Sequence, residues 1–116
     1  PTPYISTLSK KQIIRITHKP SGEVIAEGEK GWGMFAFEGN YYILNKNLKT
    51  VGFKSSWIPG ICFYKFIYIW YHFTSADGHK SSMIAWKYWL PNPLFPFIAF
   101  RIAVPRRHPD LLVEVV

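Results

Sequence analysis

The sequence predicts a mainly β fold: a single compact antiparallel domain of about seven or eight strands, barrel-like or two-layered, with at most a short helical turn. Three observations predict it. Apolar residues recur with period two, and no stretch of apolar i, i+3, i+4, i+7 spacing exceeds two turns. Clusters of Gly, Pro, Asn, Asp and Ser punctuate the chain at short intervals. The composition, 48% hydrophobic and 18% charged over 116 residues, excludes a disordered chain and suffices for one core.

Taken in order, residues 1–11 are expected to be a flexible segment and residues 12–116 a single β domain. "QIIRIT" (12–17) alternates around Ile14 and Ile16, "KPSG" turns, and "EVIAEG" (23–28) returns as the second arm of a hairpin. After the glycine-rich "GEKGWG", the strands "MFAF" and "YYIL" flank "EGN", with Gly39 and Asn40 suited to positive φ. Asn45 is placed to cap one helical turn through Leu48 and Val51, and "SSWIPG" reads as a loop. "ICFYKFIYIWYHF" (61–73) is expected to form one long strand, joined through the Asp-Gly of "SADGHK" to "SSMIAWKYW". "LPNP" stops that strand, "LFPFIAFRIAV" (94–104) is a further strand, "PRRHP" turns and "LLVEVV" closes the fold. Closure or layering is expected because long open edges invite aggregation.

Several classes are excluded. The longest apolar runs are broken by Lys65 and His72, or by Pro96 and Arg101, so neither is a transmembrane span of about twenty residues. A single cysteine, Cys62, rules out an intrachain disulfide framework, fits a reducing compartment and, with no apolar leader at the start, points to a cytoplasmic location. His18, His72, His79 and His108 are scattered without ligand spacing and read as surface residues, so no metal or cofactor is implied. No GxSxG elbow and no GxxxxGK[ST] loop is present. Fourteen Lys and Arg against seven Asp and Glu give +7, a surface that favours anionic partners.

The run from 61 to 73 carries the functional reading. With Asp77 and Gly78 as the central residues of a tight turn, Trp70 faces Ala85, Ile69 faces Trp86, Tyr68 faces Lys87 and Ile67 faces Tyr88. Lys65 then shares a face with Trp86 and Tyr88, where a cation must snorkel, pair or meet an anion. Cys62 on an apolar strand reads as a small core residue before a nucleophile, and Trp32 at the tip of "GEKGWG" is expected to fold inward over a core or a ligand.

The succession "ICFYKFIYIW", "AWKYWLPNP", "PFIAFRIAV" resembles the DUF427 family, a small bacterial domain sometimes labelled nucleotidyltransferase-like. The family pattern is a Cys-Pro-Tyr-Lys-Gly stretch entering an aromatic strand, then Ala-Trp-Ser-Tyr-Pro. Cys62, Tyr64 and Lys65 occupy the first motif, Tyr68 and Trp70 its continuation, and Ala85, Trp86 and Tyr88 the second. Phe63 stands for the family's Pro, Phe66 for its Gly, and Lys87 and Trp89 for its Ser and Pro. "GEVIAEGE" and "NYYIL" fit its earlier strands, so the resemblance spans residues 12–116. It implies a compact β-rich fold and leaves the reaction open; divalent-metal phosphoryl chemistry wants convergent carboxylates, whereas Asp77 and Asp110 both flank turns.

Face geometry and family position together predict a pocket between layers, lined by Tyr64, Tyr68, Trp86 and Tyr88, with Cys62 beside them, Lys65 holding an anionic group and Trp32 as a cover. The expected partner is a small molecule. The alternatives are single-stranded nucleic acid on a basic aromatic surface, and an anionic membrane touched by "LFPFIAF" with Arg106 and Arg107.

Overall fold

The computed structural model describes residues 12–63, 66–91, 93–94 and 96–116. Among them nine strands run in chain order: β1 (Ile13–His18), β2 (Glu23–Glu29), β3 (Met34–Phe37), β4 (Asn40–Ile43), β5 (Phe53–Cys62), β6 (Phe66–Thr74), β7 (Lys80–Pro91), β8 (Ile102–Pro105) and β9 (Leu111–Val115). They form two antiparallel sheets, of order β2-β1-β9 and β3-β4-β8-β7-β6-β5. The two-layered expectation holds and the barrel does not form, since β3 and β5 remain edges of the larger sheet. The expected flexible segment, residues 1–11, lies outside the described residues. Among the described residues no helix is long and apolar enough to cross a membrane.

Alternation builds the core. In β1, Ile14, Ile16 and His18 are buried while Ile13, Arg15 and Thr17 are half-buried. Ile14, Ile16, Ile25, Ala26 and Leu111 of the small sheet meet Tyr41, Ile43, Tyr71, Phe73, Ile84, Ala85, Ile102 and Val104 of the large one. A side chain that points inward on one sheet has its strand neighbours pointing out. On the large sheet those neighbours form a second cluster of Tyr42, Tyr88, Ile98 and Ala103, with Phe35, Phe37, Tyr68 and Trp86 against it.

Five expectations are corrected. The run 61–73 is not one strand: Ile61 and Cys62 end β5, Phe63 turns, and β6 starts at Phe66 opposite Cys62. "SSWIPG" is not a loop but part of β5. "LFPFIAFRIAV" is not continuous either: Pro96–Ile98 is a 3-10 turn, Phe100 has φ 57, and only Ile102 begins β8. That turn lays Ile98 on the outer cluster, held by the bond from the Phe100 N–H to the Tyr88 carbonyl. In the second hairpin the positive-φ residues are Glu38 and Gly39, and Asn40 already pairs with Phe37. The short turn after β4 is a 3-10 turn at Asn45–Asn47, but Leu44, not Asn45, precedes it as the cap.

The surface reading of the histidines fails at His18, which is fully buried. Its Nδ1 lies 2.7 Å from Ser21 Oγ and its Nε2 2.7 Å from Ser81 Oγ, which donates to Asp110 Oδ2 at 2.7 Å. Because the Ser81 proton goes to the carboxylate, Ser81 accepts from His18 Nε2–H; Ser21 Oγ lies between Nδ1 and the His18 carbonyl, and burial, which lowers the ring's pKa, favours the neutral form in which Nδ1 accepts from Ser21. His72 is half-buried and accepts the Met83 N–H at 2.9 Å.

The register of β6 against β7 decides everything at the site. The loop between Thr74 and Lys80 is five residues long, closed by the Ser75 N–H to the His79 carbonyl, rather than a two-residue Asp-Gly turn. Met83, with φ 54, sits in a bulge between the Phe73–Ser81 and Tyr71–Ala85 pairs. Beyond it Trp70 faces Trp86, Ile69 faces Lys87 and Tyr68 faces Tyr88. The expected register was one residue out, and with period two a one-residue slip exchanges faces.

β5 is irregular at the sheet edge. Its pairing with β6 shifts between Ser55 and Pro59, and Trp57 has φ 58. Ser55 Oγ accepts the Trp57 N–H at 3.1 Å; Ser56 Oγ accepts the Ile58 N–H at 3.0 Å and donates to the Trp70 carbonyl at 2.8 Å.

Candidate ligand pocket on the outer aromatic face

The corrected register makes a ring array. Trp70 opposite Trp86 and Tyr68 opposite Tyr88 are direct cross-strand pairs on the face turned away from the small sheet. Their centroids are 5.7 Å and 5.3 Å apart, and Tyr68 meets Trp70 edge to face at 5.4 Å. Such tilted and T-shaped contacts suit the ring quadrupoles. Against this array come Ile61 and Cys62 from the end of β5 and Phe63 from the turn, and the seven residues line an open cleft of about 490 Å³. Phe63, 95% exposed, stands at its rim.

One glycine makes the array possible. Gly60 pairs with Tyr68 across the β5–β6 ladder, and a Cβ built on Gly60 would collide with the Tyr68 ring. The ring therefore lies over bare backbone, an approach only glycine permits.

The floor is desolvated. Tyr88 is buried, and burial pushes its phenol pKa well above the ordinary tyrosine value, with the neighbouring Cys62 thiol among the lesser causes. Beneath it Tyr42, 6.4 Å away ring to ring, is fully buried and its phenol is pushed up to about 12, again first by burial. Among the described residues no group meets the Tyr42 hydroxyl in hydrogen-bond geometry, although the Trp86 and Asn40 side chains lie near enough to lower its pKa in part.

Of the residues expected at the site, Cys62, Tyr68, Trp86 and Tyr88 come together. Tyr64 and Lys65 lie outside the described residues. Trp32 does not cover the pocket; it stacks on Arg101, 4.3 Å from the guanidinium carbon, and meets Phe35 edge-on at 6.5 Å. The pocket is also not between the layers, because the array faces away from the small sheet. Ile61, Phe63 and Trp70 were missed as lining residues; alternation with Tyr68 in one strand is the signal that places Trp70. Lys87 belongs to the other face, its Nζ 5.4 Å from the Tyr71 ring.

The lining brings Cys62 neither a histidine nor a carboxylate. Among the described residues no three His, Cys, Asp or Glu side chains converge to hold a metal. Of the residues named for a membrane contact, Leu94 and Phe100 are exposed before β8, and Arg106 and Arg107 are exposed after its end. No protein-family model matches this sequence, and no curated protein matches it either.

Proposed function

We propose that this chain binds a small ligand whose flat apolar body lies among Tyr68, Trp70, Trp86 and Tyr88 and whose anionic group meets Lys65. One observation carries the reading: two direct cross-strand ring pairs surround an open cavity of about 490 Å³ instead of packing it shut. That volume suits a small metabolite, for which pockets of about 300–1,000 Å³ are usual. The resemblance to DUF427 supports the same segment as the working part of the domain. A reaction is not part of the proposal. A cytoplasmic setting is, because the Cys62 thiol lines the pocket and stays reduced there; Cys62 found oxidised in material trapped directly from cells would count against it.

The test is a thermal-shift screen against nucleotides, sugar phosphates and aromatic acids at two salt concentrations, since a ligand that prefers the folded state raises the midpoint. A hit should be lost in Trp86→Ala and weakened in Lys65→Met. Unchanged affinity in Lys65→Met would remove the lysine from the site, and unchanged affinity in Trp86→Ala would remove the pocket.

Single-stranded nucleic acid is a second reading with its own observation. The exposed Trp32 meets Phe35 at 6.5 Å and Phe35 meets Phe37 at 6.4 Å, both half-buried, a short row of partly accessible rings of the kind on which bases stack. It requires oligonucleotide affinity that falls steeply with salt. An oligonucleotide shift that survives high salt, or none at low salt, would end it.

A further inference from the structure

Arg101 is the most deeply buried cation among the described residues, 4% exposed, in a stretch that otherwise supplies core. A guanidinium keeps its charge at any physiological pH, so its burial without a carboxylate leaves an electrostatic cost that neutralisation cannot relieve. Among the described residues no carboxylate is paired with Arg101: burial is the cause of its lowered pKa, and its acceptors there are the carbonyls of Trp32 and Tyr42, both reached from Nη1. Nε and Nη2 have no described acceptor.

What covers Arg101 is a largely exposed side chain. The Trp32 indole lies on the guanidinium yet is itself 63% exposed, with Phe35 as its one described ring neighbour. It sits at the tip of the glycine-rich loop between β2 and β3, in which Gly31 has φ 147. The same Trp32 borders a cleft of about 470 Å³ with Glu29, Lys30, Lys46, Asn47 and the backbone of Gly31 and Gly33. With Arg101, the three cations exceed the single carboxylate by two, which suits a dianion.

We propose that Arg101 and the loop from Lys30 to Gly33 form a phosphate-binding site, separate from the aromatic pocket, in which Trp32 is the lid. The phosphate of a small monoester displaces the indole from the guanidinium. It then takes Nε and Nη2 as a two-pronged donor pair, the geometry for which arginine is suited, while Lys30 and Lys46 add charge at the rim.

The experiment uses the whole chain with inorganic phosphate, against sodium chloride and sodium acetate at equal ionic strength, reading the unfolding midpoint and tryptophan emission. Phosphate should raise the midpoint saturably and change the emission, and in Trp32→Phe the emission change should vanish while the midpoint shift remains. Trp32→Ala, which removes the competing cation–π contact from an exposed position, should tighten phosphate binding about fivefold. Arg101→Met should abolish binding; because that variant risks misfolding, Lys46→Met serves as the second, with affinity expected to fall roughly threefold. A phosphate shift no larger than that of chloride or acetate would overturn the site, and unaltered affinity in Trp32→Ala would overturn the lid. A 5′-phosphorylated trinucleotide binding no tighter than phosphate keeps the ligand small; one binding a hundredfold tighter overturns that assignment in favour of nucleic acid.

Discussion

Replacing Tyr42 by Phe should stabilise the fold. The hydroxyl is fully buried and unpartnered, and an orphaned polar group of this kind costs about 1–3 kcal/mol. Deleting one oxygen leaves a hole of roughly 10 Å³, which at about 24 cal/mol per Å³ returns only about 0.2 kcal/mol. The ring contacts with Tyr88 and Phe37 survive, as does the Tyr42 carbonyl that accepts from Arg101. The net gain is about 1–3 kcal/mol. For a chain of 116 residues, with an unfolding entropy of about 2.1 cal/mol/K per residue, that raises the midpoint by about 3–12 °C. Paired urea and thermal melts read it, with an unchanged urea slope showing that only stability moved. An unchanged or lower midpoint would refute the reasoning, since it would mean that the hydroxyl has a partner, such as a trapped water, whose bond the phenylalanine forfeits.

Other outcomes follow from the same geometry. Gly60→Ala should swing the Tyr68 ring off the ladder and weaken any pocket ligand at least tenfold while costing the fold only about 1 kcal/mol, read by titration and melts; retained affinity would show that Tyr68 does not shape the pocket. Burial holds the His18 pKa below the ordinary histidine value, with Asp110 opposing in part, so the unfolded chain binds the proton more readily. The stability owed to neutral His18 is therefore present above about pH 6.5 and is lost as pH falls through the lower folded-state value. Urea midpoints from pH 8 down to 5 should decline for the natural chain and flatten in His18→Gln; a decline as steep in the variant would locate the effect elsewhere. Ser81→Ala should cost about 1–3 kcal/mol in a urea melt, because it leaves both His18 Nε2 and the Asp110 carboxylate short of a partner.

The sheets were legible from local pattern, because Ile14 and Ile16 or the Asp-Gly and Glu-Gly-Asn clusters act within a few residues of themselves. The site was legible only in part. Tyr68, Trp86 and Tyr88 were recognised as residues of one place, but the face they share depends on a bulge at Met83, and nothing in "SSMIAW" announces it. Positive φ at Trp57, Phe66, Met83 and Phe100 falls on large side chains where no glycine marks the bend, so one strand was read where a hairpin stands and another where a 3-10 turn lies. Arg101 left a trace, a lone charge in "FIAFRIAV", but its meaning came from the loop that folds back from residues 31–33. That contact is set by the tertiary arrangement and has no local signature.

The irregular edge of β5 has a consequence for how this protein keeps company. A strand approaching that edge would seek free amide hydrogens near Trp57, Ile58 and Pro59. It would find two already given to serine hydroxyls and, at the proline, none to give. Trp57, 74% exposed, can thus face the solvent where its own amide is not offered to a growing stack of chains. Along these three positions of the edge, recognition is left to side chains.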